Sequence, residues 1–414
     1  SYNTAIGYLA LQEHVDGGYN TAIGYKALYR TGGSNADGSQ DNVAIGYLAL
    51  GGDWANATSN QNISIGSNTL AGVLNGATDN IGIGYAALND LTSGDNNVAV
   101  GSYAGDGITD GAGCVAIGHL ALSAAHTQNG TVMIGQNAGA LLTTGDNNIG
   151  IGYNALATHV DGSKNICIGY GAMQDTNAGS DSDTSAENVF IGHLAGGGTW
   201  ANAVSSFNVG VGSNVMDAAL DGALKNTAVG HEAGTAIEEG SSNTLLGFQA
   251  GVGIVDADWN TCVGDRAGDS ITSGQANTFV GTTADGAATT DNQIAIGNGA
   301  VTDGANKGRW GNSSVSTNNI QTDWTVDSDI RIKKDIESSD IGLSFINALK
   351  TRKYKKRHPS EYDAEILEPR YKSGGANYDD DKGSIIKDEF DDNKVWNGLI
   401  AQEVKTVMDD LDVE

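Results

Sequence analysis

Apolar and polar positions along this chain recur in a fixed local order. A polar residue is followed by a β-branched residue, a small one, an aliphatic one and a glycine; two variable places and an alanine follow. The phrase, N-x-x-[IVL]-G-x-x-A, occurs in seventeen copies, starting at Asn3, Asn20, Asn42 and Asn62 and ending with the copy at Gln293. Fourteen copies open with Asn, the second place is always Thr, Val or Ile, and the fifth is always Gly. The eighth is Ala except at Thr69 and Val215. Alternation over the second to fourth places predicts a short strand, its branched residues on one face and the third place on the other. The glycine ends it in a turn.

The steps between copies are mostly 17 residues, and each set of eight steps spans 145. "HVDG" at 14 returns at 159, and "WANA" at 54 returns at 200. One eight-coil block has been copied, with a third begun at Gln293. A step of this length predicts a coil of two short strands and two corners, stacked into parallel sheets. On this reading the branched side chains pile into ladders that only the stack can hide, and the Asn side chains bond from coil to coil. At roughly 4.8 Å per coil the rod is on the order of 80 Å long. The small third place (Ala5, Ala22, Ala44, Ser64, Gly82) predicts a second compact face packed against partner chains around a common axis. A single-chain solenoid is the alternative.

Composition supports a laddered backbone. The chain holds 60 glycines and 2 prolines, and both prolines, Pro359 and Pro369, lie near its end. Such a stretch keeps nearly every N–H for hydrogen bonding and supplies turns of positive φ. The net charge is −28, with 30 acidic and 7 basic residues in the first 328. That balance argues against nucleic acid and anionic membranes as partners. The odd, scattered cysteines Cys114, Cys167 and Cys262 imply neither disulfides nor a metal site. No apolar run reaches membrane-spanning length. Because the chain starts inside a repeat without Met, a preceding N-terminal portion is expected.

The N-x-x-I-G phrase resembles the head repeat of trimeric autotransporter adhesins over about three-quarters of the chain. The resemblance implies a parallel β-roll with three chains packed side by side.

Several stretches imitate sites. "GIGYAA" from Gly82 mimics a dinucleotide fingerprint, but no helix or βαβ spacing follows it. "SGDNN" and "TGDNN" look like calcium-binding β-roll loops without their nine-residue period, so turn chemistry explains them. His119, His193 and His231 occupy the sixth place of the phrase and read as surface positions, not ligands. The longer coils "GGDWANATSNQ" and "GGTWANAVSSF" are bulges able to carry a binding surface. There Trp54 and Trp200 are candidate glycan-stacking residues; the alternative is that each plugs its bulge.

After about residue 300 the repeats stop and basic residues appear. "VDSDIRIKKDI" (326–336) and the amphipathic "GLIAQEVKTVM" (398–408) follow. Together they resemble the autocleaving intramolecular chaperone domain at the C-termini of phage tail spikes, tail fibres and endosialidases. The matching residues are Ser328, Asp329, Arg331, Lys333 and Ile336, then Gly398 to Val404, including Gln402 and Glu403. The resemblance implies a domain that trimerises, aligns the upstream chains and cuts itself off between Asp327 and Ser328. Ser328 is then the nucleophile and Lys333 the general base. A lysine can serve so if burial or the neighbouring Lys334 and Arg331 lower its pKa.

The expected architecture is an all-β repeat rod (1–301), a connector (302–327) and a small α+β chaperone domain (328–414). The expected role is the structural and host-recognition part of a homotrimeric phage tail fibre on the virion, with a host cell-surface glycan or protein as partner. It needs no cofactor or metal and no membrane insertion. A bacterial surface adhesin is the alternative. A glycan-degrading tailspike would need a carboxylate pair in an inserted domain, and Glu238–Glu239 reads only as a polar corner.

Overall fold

The computed structural model describes residues 2–316, apart from the loop residues 31–35, 37, 125–126, 177–180 and 201. Beyond these it describes residues 348–349 and four short strands nearer the C-terminus. The chain divides into two units, Ser1–Asn318 and Asn319–Glu414.

The first unit is a parallel β-solenoid of about seventeen turns with almost no helix; among the described residues of the rod there is one 3-10 turn, Ser182–Thr184. Strands β1 (Thr4–Ile6) to β17 (Ile294–Ile296) each comprise the second to fourth places of one phrase, and β18 (Gly308–Trp310) closes the stack. Each pairs in parallel with its successor in identical register, as in Thr4 with Thr21, Ala5 with Ala22 and Ile6 with Ile23. The coil differs from the expected two strands and two corners. It holds one three-residue strand, and bends and turns carry the rest of the circuit. Those turns are laddered too: Gly24 N–H donates to Ile6 O at 2.8 Å, Lys26 N–H to Tyr8 O at 2.9 Å and Leu28 N–H to Ala49 O at 2.9 Å.

The corner glycine explains its own invariance. Gly46 has φ of 140°, and a Cβ there would lie 2.3 Å from the carbonyl oxygen of Gly66. No side chain fits between corners stacked this closely. Elsewhere positive φ is not left to glycine. Lys26 (53°), Leu28 (48°) and Asp41 (59°) are left-handed, and equivalent residues repeat this in coil after coil. Each costs roughly 1–2 kcal/mol, offset by the laddered backbone bonds and by burial of the leucines.

The two strand faces are assigned opposite to expectation. The chain's own interior takes the small third place: Ala22, Ala44, Ser64, Ala99 and Ala116 are fully buried. The alanines of the eighth place and the Leu or Met of the ninth, such as Leu28, Leu50 and Met173, join them. The branched second and fourth places are only half-buried or exposed. The reason is space, because a narrow coil has room for one small strand residue beside the corner leucines. Where the third place is large, a glycine beside it makes room. A Cβ on Gly150 would lie 2.5 Å from Met133 Sδ, and one on Gly210 would lie 2.7 Å from Phe190 Cδ1.

The opening Asn residues form a buried column. Asn62 N–H donates to Asn42 Oδ1 at 3.0 Å, Asn80 N–H to Asn62 Oδ1 at 3.1 Å, and Asn62 Nδ2 to Ala77 O at 2.9 Å. Each side chain thus satisfies groups on the following coil, as expected for a stacked amide. At Cys114 the thiol takes over, donating to Gln128 O at 3.2 Å.

In the second unit, strand Arg352–Lys355 pairs antiparallel with Val395–Gly398, placing Arg352 opposite Gly398. Tyr378–Asp379 pairs with Ser384–Ile385.

Candidate functional site

The outward second and fourth places make the largest feature of the rod. They form two parallel columns of Thr, Val, Ile and Leu, one side chain per coil in each, running through all seventeen copies. Ile65, Ile83, Leu246 and Ile296 are among the exposed large hydrophobic residues. The chain leaves this stripe only partly covered, which makes it a candidate association face.

A second column lies just past the corner, at the sixth place. There Tyr8, Tyr25 and Tyr47 stack ring on ring, as do Tyr153, Tyr170 and His193, and His231 with Phe248. Sequence reasoning placed His193 and His231 correctly at the surface but missed that they continue an aromatic stack. The signal was present in the recurrence of Tyr at the sixth place, in six of the seventeen copies.

The bulge tryptophans are not binding residues of this surface. Trp54 is 4% exposed and Trp200 fully buried, the latter donating Nε1–H to Gly196 O at 2.9 Å and packing edge-on against Phe190. Both plug their bulges and offer no ring face to a glycan, which corrects the expectation of glycan stacking. In the first block Arg30 braces the bulge through Asp53 at 2.9 Å. In the second, Thr199 Oγ1 donates to Asp175 at 2.8 Å.

The calcium-like loops serve the ladder. Asp95 Oδ1 accepts Thr78 N–H at 2.7 Å, and Asp146 Oδ1 accepts Asn129 N–H at 2.7 Å. Among the described residues no three His, Cys, Asp or Glu side chains are grouped to hold a metal ion, and no helix is long and apolar enough to cross a membrane. "GIGYAA" lies on a strand and its corner.

The titratable groups inside the rod are structural. Both thiols are buried, and burial pushes Cys167 up and Cys262 up to about 12, which disfavours the thiolate form in each. His159 is fully buried; burial lowers its pKa to about 4, and its neutral ring bridges Thr176 Oγ1 at 3.0 Å and Asn165 Nδ2 at 3.2 Å. Burial raises Asp106 to about 6, with nearby Asp90 adding to the effect.

Of the expected cleavage and chaperone residues, Asp327, Ser328, Asp329, Arg331, Lys333, Gln402 and Glu403 lie outside the described residues. Gly398 ends the strand that pairs with Arg352–Lys355.

Residues 328–412 match the family described as Chaperone of endosialidase. No curated protein matches the chain. A β-solenoid rod followed by a segment similar to that chaperone is an arrangement that fits a structural protein of the tail-fibre or tailspike kind.

Proposed function

We propose that this chain is the shaft and host-recognition part of a homotrimeric phage tail fibre, assembled by its C-terminal segment and displayed outside the cell on the virion. The observation that carries the reading is the outward apolar stripe, repeated in all seventeen coils and left half-covered by its own chain. Three copies packed around a common axis bury the stripe on every chain at once. On this reading the trimer packs through the branched columns, because the small third place is taken up by the chain's own interior.

The C-terminal segment answers a problem the rod creates. Successive coils present nearly identical edges, so slipping one chain by a coil preserves most contacts. Parallel pairing between distant segments also folds slowly. A terminal clamp that sets register first solves both. Ser328 then attacks the carbonyl carbon of Asp327, Lys333 taking its proton. The peptide bond to the Ser328 nitrogen breaks as an ester to its oxygen forms, and Lys333 passes the proton on to that nitrogen. Water hydrolyses the ester, freeing residues 1–327 from 328–414. Cutting away the clamp removes the route by which the trimer formed, so the fibre becomes kinetically stable.

Solution mass and intact-chain mass test both parts. The expected particle has three times the single-chain mass, and the wild-type chain is cut after Asp327 while Ser328→Ala stays whole. A particle of single-chain mass, 42.4 kDa for the uncut chain, removes the fibre reading. Equal, uncut chains in both samples remove the self-cleavage.

A further inference from the structure

We infer that the rod carries two slots for a neutral pyranose ring, one in each block, where a Gly-Ser-Asn coil interrupts the aromatic column: Tyr47–Ser67–Tyr85 and His193–Ser213–His231. The other breaks between rings differ: beside Ser102, Tyr103 packs edge-on against Tyr85 at 5.2 Å, and the longer Gln136 stands between the coils of His119 and Tyr153.

In the first block Tyr8, Tyr25 and Tyr47 stack with centroids 5.6 and 5.3 Å apart and planes inclined by 16° and 7°. In the second, Tyr153, Tyr170 and His193 do so at 5.2 and 5.3 Å, inclined by 13° and 14°. The next coil in each block bears a serine. Backbone register holds it between rings: Asn68 N–H donates to Tyr47 O at 2.9 Å and Ala86 N–H to Ser67 O at 3.0 Å. The second block repeats this, with Asn214 N–H to His193 O at 2.9 Å and Glu232 N–H to Ser213 O at 3.0 Å. The flanking residues therefore sit two coils apart, about 9.6 Å at the usual strand spacing. Tyr47 and Tyr85 are 51% and 47% exposed, and His193 and His231 are also exposed.

The gap is one ring thick. A six-membered ring within it lies about 4.8 Å from each neighbour, close to the spacing the column itself uses. Both gap coils carry Gly-Ser-Asn, so a serine stands at the sixth place where the ring is missing. A pyranose suits such a gap, with apolar C–H faces for the rings and rim hydroxyls for the serine. An aromatic side chain from a protein would fill the space but offer the serine hydroxyl no rim of hydrogen-bonding groups. The acidic rod, with 30 acidic against 7 basic residues in its first 328, disfavours anionic sugars. This deepens the recognition part of the proposed function, yet each slot lies within one chain and does not depend on the trimer.

The test is saturation-transfer NMR on the full chain with methyl β-glucoside, methyl β-galactoside, N-acetylglucosamine, maltose and lactose. At least one sugar is expected to bind. The pair Ser67→Tyr with Ser213→Tyr supplies the missing rungs and should weaken binding about tenfold or more without lowering the melting temperature. Tyr47→Ala with His193→Ala removes one wall of each slot and should do the same. Thr282→Tyr, at the sixth place of a coil with Asp265 and Asn298 as column neighbours, should leave binding intact. No binding by any of the five sugars overturns the slots, as does binding that survives both double variants. The latter result leaves host recognition standing at another surface. A single-chain mass instead sinks the fibre reading while the slots remain.

Discussion

Asn188 Oδ1 accepts the backbone N–H of Asn208 at 2.9 Å, deep in the rod and across a step of 20 residues. Asn188 Nδ2 at the same time donates to Ser205 O at 2.9 Å. One side chain thus ties two points of the next coil, and the column repeats this along the stack. Asn188→Ala strands a buried N–H and a buried carbonyl. Chemical denaturation should show a loss of about 2–3 kcal/mol, and an unchanged midpoint would show that the column is dispensable.

The corner glycine tolerates nothing larger. In Gly46→Ala the new methyl meets the carbonyl oxygen of Gly66 at 2.3 Å in a backbone region alanine avoids. A cost of at least about 3 kcal/mol is expected, measured as a fall in melting temperature or failure to accumulate folded protein.

The outward columns predict a separation of folding from association. Ile151 sits at the fourth place, half-buried in the single chain. Ile151→Asp should keep the β-sheet circular dichroism signal while the particle shrinks to single-chain mass. A variant that still assembles would move the packing face elsewhere.

His159 makes stability pH-dependent. Its folded pKa, about 4, lies below the ordinary 6.5, so its contribution is complete above 6.5 and is lost as the pH falls toward 4. The whole effect is about 3 kcal/mol at most. His159→Asn should flatten the difference between melts at pH 7 and pH 5; an equal pH slope in both proteins would refute the assignment.

Asp106 works in the opposite sense. Its pKa is raised to about 6 from 3.8, mainly by burial, so its charge destabilises the rod above pH 6 and the penalty fades as the pH falls toward 3.8. Asp106→Asn should stabilise the rod at pH 7.5 by about 1 kcal/mol after allowance for partial solvent screening, and the gain should vanish near pH 4. A destabilised variant would mean that the charge has a partner.

Much of the rod was legible in advance because periodicity reports repetition directly. Asn at the first place and Gly at the fifth needed no tertiary knowledge: a stacked amide and a corner without room for Cβ leave few other choices. Trp54 and Trp200 were ambiguous, since a large ring on a bulge can face either way until its neighbours are known. Phe190 settled the question for Trp200 by packing against it from the strand.

By itself the sequence determined the coil length, the strand formed by each phrase, the block duplication and the Asn column, because each follows from residue type at a fixed spacing; the absence of a second strand in the coil it did not foretell. Only the tertiary structure decided which strand face is inside. Alternation defines two faces but does not rank them. The narrow coil did that, admitting mostly small residues beside the corner leucines, with Met133 or Phe190 only where a glycine makes room, and turning isoleucine and valine outward.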